Sequence, residues 1–271
     1  MIKHRLIANL LVHQGNVVQT RQFKRTNMVG SAFTAVDFFN TWTVDEIGVL
    51  EISNDRSHVE KFVGIIEELS RRCFVPLTVG GKILDMSLVH RYIRAGADKV
   101  VVNTAAVDTP GLIGEIASAY GTQCLVVSID GQPDSAMPSG YRVMVDNGRR
   151  ATELDAVAWA RRVAELGAGE LLVNSLTHDG DKRGYDLALI RAVSGAVGLP
   201  VIAMGGVGSW QDLVDGIALG GADAVAAGNI FHYTEHSTKK AKEFLIESGL
   251  PVRPTTFYKL QTSRRVRYKP F

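Results

Sequence analysis

Val79-Gly80-Gly81, Gly96-Ala97-Asp98 and Val101-Val102-Asn103-Thr104 recur 125 residues later as Met204-Gly205-Gly206, Gly221-Ala222-Asp223 and Ala226-Ala227-Gly228-Asn229. Each set reads as an apolar strand ending on Gly-Gly, a helix, and a second apolar strand ending on small residues. Such a unit, present in both halves, is most simply a duplicated half-barrel. Outward from it, short apolar runs predict eight strands, at 6–11, 47–52, 76–79, 100–102, 125–129, 171–174, 201–204 and 224–227. Helical periodicity lies between them. Residues 58–71 align Val59, Phe62, Val63, Ile66 and Leu69 on one face, 154–166 align Val157, Ala158, Val163 and Leu166, and Leu213, Val214 and Ile217 form a shorter stripe. Strands alternating with helices argue for an α/β protein with a parallel sheet. Eight of them favour a closed (β/α)8 barrel in one domain, a fold of roughly 250 residues, over an open doubly wound sheet. No Gly-x-Gly-x-x-Gly opens a helix after the first strand, which counts against a dinucleotide fold.

Composition narrows the function classes. The apolar fraction is 46%, the charged fraction 21% and the net charge +2, so no bulk electrostatic case exists for nucleic acid or membrane binding. Cys73 and Cys124 fit no disulfide framework and no metal spacing, and the expected compartment is a reducing cytoplasm. Residues 1–15 carry no long apolar core of a signal peptide. No apolar run reaches the roughly 18 residues of a membrane span. The expected organisation is a barrel over 1–253 and a basic extension over 254–271. That extension carries Arg264, Arg265, Arg267 and Lys269 among aromatic residues, and reads as a solvated tail or a strap for a partner.

Two places qualify as phosphate cradles. One combines Gly80 and Gly81 with Lys82, Asn103 and Thr104. The other combines Asp179, Gly180, Gly205, Gly206, Ala227 and Gly228. Small residues at strand ends let backbone N–H groups converge on an anion. Tight β/α turns would use the same glycines, but two pairs in matched register point to a ligand phosphorylated at both ends. Two polar excursions, 19–33 and 134–150, follow the first and fifth strands, on the face where barrels build active sites. The second is rich in Gly, Pro and Asp and forms a hairpin or loop.

Over residues 1–253 the chain resembles the cyclase subunit family of imidazole glycerol phosphate synthase. The resemblance is carried by Arg5-Leu6-Ile7-Ala8, Val44-Asp45-Glu46, Thr78-Val79-Gly80-Gly81, Gly96-Ala97-Asp98-Lys99-Val100, Val102-Asn103-Thr104-Ala105-Ala106-Val107, Ile129-Asp130, Gly167-Ala168-Gly169-Glu170, Asp179-Gly180, Gly184-Tyr185-Asp186 and Gly221-Ala222-Asp223-Ala224. It implies a barrel paired with a glutaminase subunit on its N-terminal face. Ammonia would pass through the barrel to a phosphorylated or nucleotide-linked small molecule on the C-terminal face, with no cofactor and no metal. It also implies a salt-bridged ammonia gate of Arg5, Glu46, Lys99 and Glu170, and a partner-interface position at Asp98. Four solvated charges at strand starts are the plain alternative to a gate.

The departures from that family bear on function. Asp130 matches the strand-five catalytic aspartate, but Leu11 stands where the strand-one partner is expected. Gln19 replaces a lysine, Lys82 a glycine, and Glu51 an aspartate. Moving protons in both directions calls for two positioned carboxylates, so cyclase chemistry is not expected to be efficient. A gate retained while a catalytic acid is lost resembles the glycosyl amidation-associated barrels of surface-polysaccharide gene sets, as do Phe23-Lys24, Val29-Gly30 and Phe38-Phe39-Asn40. In that setting the ammonia would serve a separate sugar-amidating enzyme. Two alternatives stay open: a true histidine-pathway cyclase that uses Glu51 as its second acid, and a non-catalytic scaffold that activates the glutaminase.

Overall fold

Along the first strand, β1 (Arg5–His13), alternate side chains face two different environments. Leu6, Ala8, Leu10 and Val12 pack outward in the large core beneath the helices, and Ile7 points into a second, smaller core with Val101, Val126, Leu172, Ile202 and Met204. A strand apolar on both faces is the mark of a parallel sheet covered by helices. This computed structural model describes residues 3–41, 43–232 and 236–254. After β1 come β2 (Asn16–Arg21), β3 (Lys24–Gly30), β4 (Glu46–Glu51), β5 (Leu77–Gly80), β6 (Lys99–Val102), β7 (Leu125–Pro133), β8 (Tyr141–Val145), β9 (Arg150–Asp155), β10 (Glu170–Ser175), β11 (Val201–Met204) and β12 (Ala224–Ala227). The helices are α1 (Ala32–Thr41), α2 (Val59–Arg72), α3 (Met86–Arg94), α4 (Thr104–Asp108), α5 (Gly111–Tyr120), α6 (Ala156–Glu165), α7 (Leu187–Ser194), α8 (Trp210–Ala218) and α9 (Ser237–Glu247).

The parallel ladder runs β1–β4–β5–β6–β7–β10–β11–β12 and returns to β1, where Ile7 stands beside Glu46 on one side and Ala226 on the other. It is a closed eight-stranded β/α barrel, and its strands coincide with the eight apolar runs of the sequence. The helical stripes need small corrections. On α2 the buried set is Val59, Phe62, Ile65, Ile66 and Leu69, with Val63 only partly buried. Leu154 belongs to β9, because Asp155 caps α6 by accepting from the N–H groups of Val157 and Ala158.

Both excursions become antiparallel hairpins on the C-terminal face. β2–β3 follows β1, and β8–β9 follows β7. The opposite face is organised by aspartates placed one residue before a strand. Asp45, Asp98 and Asp223 accept the N–H of Leu6, Leu77 and Val201 at 2.9, 2.7 and 2.9 Å. Asp98 is exposed, and this bond to the neighbouring strand is what holds its carboxylate there. Asp45 also takes the fully buried Lys242 ammonium at 2.6 Å and Arg253 at 2.9 Å, and His4 bridges to Val252. The chain therefore stays packed on the barrel through Arg253. The expected extension, past residue 254, lies outside the described residues.

Candidate functional site

At the N-terminal mouth, Arg5, Glu46, Lys99 and Glu170 are the first residues of β1, β4, β6 and β10, one position later than a reading of charges just before strands. All four face the barrel axis and pair in a closed circuit. Arg5 donates to Glu46 Oε2 at 2.7 Å and to Glu170 Oε2 at 2.9 Å. Lys99 Nζ donates to the same Glu46 oxygen at 3.1 Å and to Glu170 Oε1 at 2.9 Å. Thr78 Oγ1 donates to the remaining Glu46 oxygen at 2.6 Å. The Glu46 side chain is 2% exposed and that of Arg5 27%, so the ring is a buried network and not a set of solvated charges. Burial works to lower the Arg5 pKa, but Glu46 and Glu170 outweigh it and raise it. Burial likewise opposes ionisation of Glu170, and Arg5 and Lys99 hold it below its ordinary value. Each charge is stable only because the others are there. Behind the ring the barrel interior is mostly apolar, with Ile7, Val101, Val126, Leu172, Ile202, Ala224 and Ala226, interrupted by the buried amide of Asn9, which donates to Met204 Sδ at 2.8 Å.

The C-terminal mouth opens into a cavity of about 840 Å³. Gly81, Lys82, Asn103 and Thr104 of the first cradle line it, together with Leu11, Leu50, Glu51, Asp130 and Asn174, while Gly80 is buried at the end of β5 and is not part of the lining. Gly81 has φ +103°, and a Cβ there would stand 2.1 Å from the Glu51 carbonyl oxygen, so the chain can pass at this point only as glycine. Lys82 adopts φ 60° and is half-buried. Burial lowers its pKa, and Glu51 partly offsets that. The Asn103 amide is committed to the Ser128 carbonyl at 3.1 Å, and Thr104 Oγ1 donates to Asn103 Oδ1 at 3.3 Å and accepts the Asp146 N–H at 3.0 Å, which leaves the backbone and Lys82 as the cradle's contributors.

Register brings out the relation between Leu11 and Asp130. Ile7 pairs with the ring's Glu46, and Val126 with the ring's Glu170. Leu11 and Asp130 each stand four residues further along, so they occupy equivalent places in the two halves. Leu11 pairs with Leu50, and Asp130 with Asn174. One side of the cavity floor is therefore apolar and the other polar. Asp130 is 8% exposed, and Ser128 Oγ donates to it at 3.0 Å. Burial raises its pKa to about 7 against that hydrogen bond, with Asp179 adding to the rise. Two buried acceptors that line the cavity from opposite sides, Glu51 Oε2 on β4 and Asn174 Oδ1 on β10, have no hydrogen-bond partner among the described residues. Buried acceptors of this kind call for a donor from a ligand or water.

The second cradle is a separate recess of about 30 Å³ lined by Asp179, Gly180, Gly205, Gly206, Ala227 and Gly228, with Asn9, Leu11 and Lys182. It lies at the ends of β11 and β12, where barrels often hold phosphate. A Cβ on Gly206 would meet the Gly184 carbonyl at 2.2 Å. Asp179 is buried, and burial raises its pKa. Its carboxylate accepts the Phe23 N–H at 3.0 Å and so anchors the β2–β3 hairpin. Gln19 is buried within that hairpin.

The family model described as histidine biosynthesis protein matches residues 5–237. The chain belongs to that family. Its match spans the ionic ring, both cradles and Asp130. Among the described residues no helix is long and apolar enough to cross a membrane.

The structure brings the expected gate residues into one ring and the cradle residues to the opposite mouth. It adds contributors that sequence reasoning did not single out as site residues: Thr78, Ser128, Asn174, Phe23 and the tip of the β8–β9 hairpin. For the last of these a signal was present. Asp146-Asn147-Gly148 is a strong hairpin-turn sequence.

Proposed function

We propose that this chain is the barrel subunit of a glutamine amidotransferase complex. It takes ammonia from a glutaminase docked on the N-terminal face, conducts it along the barrel axis, and holds a phosphorylated or nucleotide-linked ligand at the far mouth. The nitrogen goes to a sugar in surface-polysaccharide biosynthesis, through a separate sugar-amidating enzyme. The observation that carries this reading is the closed Arg5–Glu46–Lys99–Glu170 ring over a mostly apolar bore, kept in a chain whose strand-one acid is Leu11. A scaffold that merely activates its partner gains nothing from four mutually dependent buried charges on its axis. Neutral ammonia passes an apolar interior at far lower desolvation cost than ammonium, and a ring of fixed charges suits an entrance that admits a neutral molecule.

A second reading, the cyclase of histidine biosynthesis, is favoured by one observation. Glu51 and Asp130 are both buried, both line the cavity, and one Glu51 oxygen lacks a partner. Two assays separate the readings. In the complex with its glutaminase, Lys99→Ala should keep glutamine hydrolysis while the yield of aminated product per glutamate falls. An unchanged ratio in Lys99→Ala and Glu46→Ala would remove the conduit. Wild-type cyclase turnover with ammonium salts, at rates of about 1–10³ per second, would favour the second reading.

A further inference from the structure

The tip of the β8–β9 hairpin is folded down onto the first cradle. Asp146, Asn147 and Gly148 have φ of 56°, 54° and 74°. Three successive left-handed residues form a sharp tip, and Asp and Asn tolerate this conformation better than other side chains. Three hydrogen bonds tie the tip across the mouth. The Asp146 N–H donates to Thr104 Oγ1 at 3.0 Å, Asn147 Nδ2 to the Ile52 carbonyl at 3.1 Å, and Arg149 Nη1 to Asn54 Oδ1 at 3.2 Å. Thr104 is a cradle residue, so the hairpin is the fourth wall of that cradle.

Arg149 lines the same cavity as Gly81, Lys82 and Thr104, and Arg56 lies on its rim. The Arg149 guanidinium is about half exposed and held by Asp146 at 2.6 Å. Lys82, half-buried on the same cavity, has its ammonium weakened first by burial and then by the Arg149 charge, while Glu51 and Asp146 act the other way. Like charges facing each other from two walls of one cavity are unfavourable until an anion comes between them. The second cradle is smaller and has fewer cations: a recess of about 30 Å³ lined by Lys182 and the Asp179 carboxylate, where the larger cavity's lining holds Lys24, Arg25, Arg56, Lys82 and Arg149 beside Glu51, Asp130, Asp146 and the same Asp179.

We propose that Arg149 is a ligand-binding residue, and that with Lys82 it makes the Gly81–Thr104 cradle the seat of a diphosphate group. The smaller Gly206–Gly228 cradle is left for a single phosphate or an uncharged polar end. The ligand therefore carries unequal charge at its two ends, and its orientation in the cavity follows from that. On binding, the anion takes over the guanidinium that Asp146 otherwise holds. This inference rests on the reading of the far mouth as a phosphate site.

Calorimetric titration of the full chain with inorganic pyrophosphate and with inorganic phosphate, at one fixed salt concentration, tests it. Pyrophosphate should bind the wild type at least tenfold more tightly than phosphate. Arg149→Gln should lose about tenfold for pyrophosphate, and Arg161→Gln, at an exposed position of α6, should leave pyrophosphate binding unchanged. Asp146→Asn, which frees Arg149 from its partner, should strengthen it, and this variant serves if Arg149→Gln fails to fold. Pyrophosphate affinity untouched by Arg149→Gln, or equal affinity for the two anions, overturns the assignment while leaving the phosphate reading in place. Failure of the wild type to bind either anion overturns the phosphate reading itself, and the assignment with it.

Discussion

Asp130 is a buried carboxyl on a half-apolar floor, and its desolvation has a measurable cost. Its pKa stands at about 7 against an ordinary 3.8. The folded chain thus keeps a proton on this group over a range where the unfolded chain has released it. Stability associated with the raised pKa is fully present below about pH 4 and declines as pH rises towards 7. One proton corresponds to about 1.4 kcal/mol per pH unit, so the window spans roughly 4 kcal/mol. Asp130→Asn removes the titration and keeps an acceptor for the Ser128 hydroxyl, now 3.0 Å away. The stability of the wild type minus that of the variant should fall by about 4 kcal/mol between pH 4 and pH 7 and be flat above it. Urea unfolding followed by circular dichroism at half-unit pH steps reads this out. With a slope of about 3 kcal/mol per molar urea, the upper end for small proteins, the midpoints should separate by about 1 M. Curves that run parallel from pH 4 to 8 would refute the premise that Asp130 is desolvated and unpaired. The same ionisation near neutrality would let Asp130 take or give a proton during turnover.

Glu46→Gln should destabilise the fold by about 3–5 kcal/mol in urea, because it leaves Arg5 and Lys99 to share one carboxylate in a buried mouth; a loss below about 1 kcal/mol would mean the ring is effectively solvated. Gly206→Ala should lower the melting temperature and abolish anion occupancy at the second cradle in phosphate-soaked crystals, since the added methyl meets the Gly184 carbonyl at φ +96°; an unshifted melting temperature with phosphate still seated there would contradict the packing argument. Leu11→Asp is expected to leave cyclase turnover with ammonium salts negligible, because Gln19 and Lys82 also depart from the cyclase pattern; turnover at about 1 per second or faster from this single change would show that Leu11 alone blocks the chemistry.

The barrel was legible because its strands are apolar on both faces and end on small residues, a pattern that survives without any knowledge of packing. The ring was legible only as four charges at strand starts. Sequence does not show that Glu46 Oε2 accepts from two cations at once, and that shared oxygen is what turns surface charges into a network. The cradles were legible from their glycines, but Asn103 is spent on the Ser128 carbonyl and Asp179 on the Phe23 N–H. Side chains in a cradle need not point at the ligand. Asn174 and Ser128 went unnoticed as site residues because a polar residue inside an apolar strand gives no sign of which face it takes until the register with its neighbour is known. The hairpins were legible as excursions but not as walls. Their docking depends on contacts across the barrel, such as Asn147 to Ile52, nearly a hundred residues away in sequence.

The two halves of the barrel constrain their ends differently. At the N-terminal mouth the glutamates of β4 and β10 occupy matching positions, and each is tied to both cations, so no single charge can be removed without stranding the others. At the C-terminal mouth the matching positions are Leu11 and Asp130, and no such coupling exists. Leu11 packs beside Leu50 against the inner apolar core, where an aspartate would be desolvated and would raise the pKa of Asp130 further by like-charge repulsion. Leucine is therefore the locally stable choice, and its presence relaxes the floor at the cost of paired acid–base chemistry. β1 and β7 are each followed by a hairpin over the mouth: β2–β3 docks on Asp179 and Asp181 after β10, and β8–β9 on Ile52 and Asn54 after β4. On the proposed reading, the cavity keeps its hairpin walls, its glycine-lined recesses and the ionic ring at the far end, with one carboxyl where the matched positions could hold two. Such a combination favours a site that receives and holds its reactants over one that cleaves them.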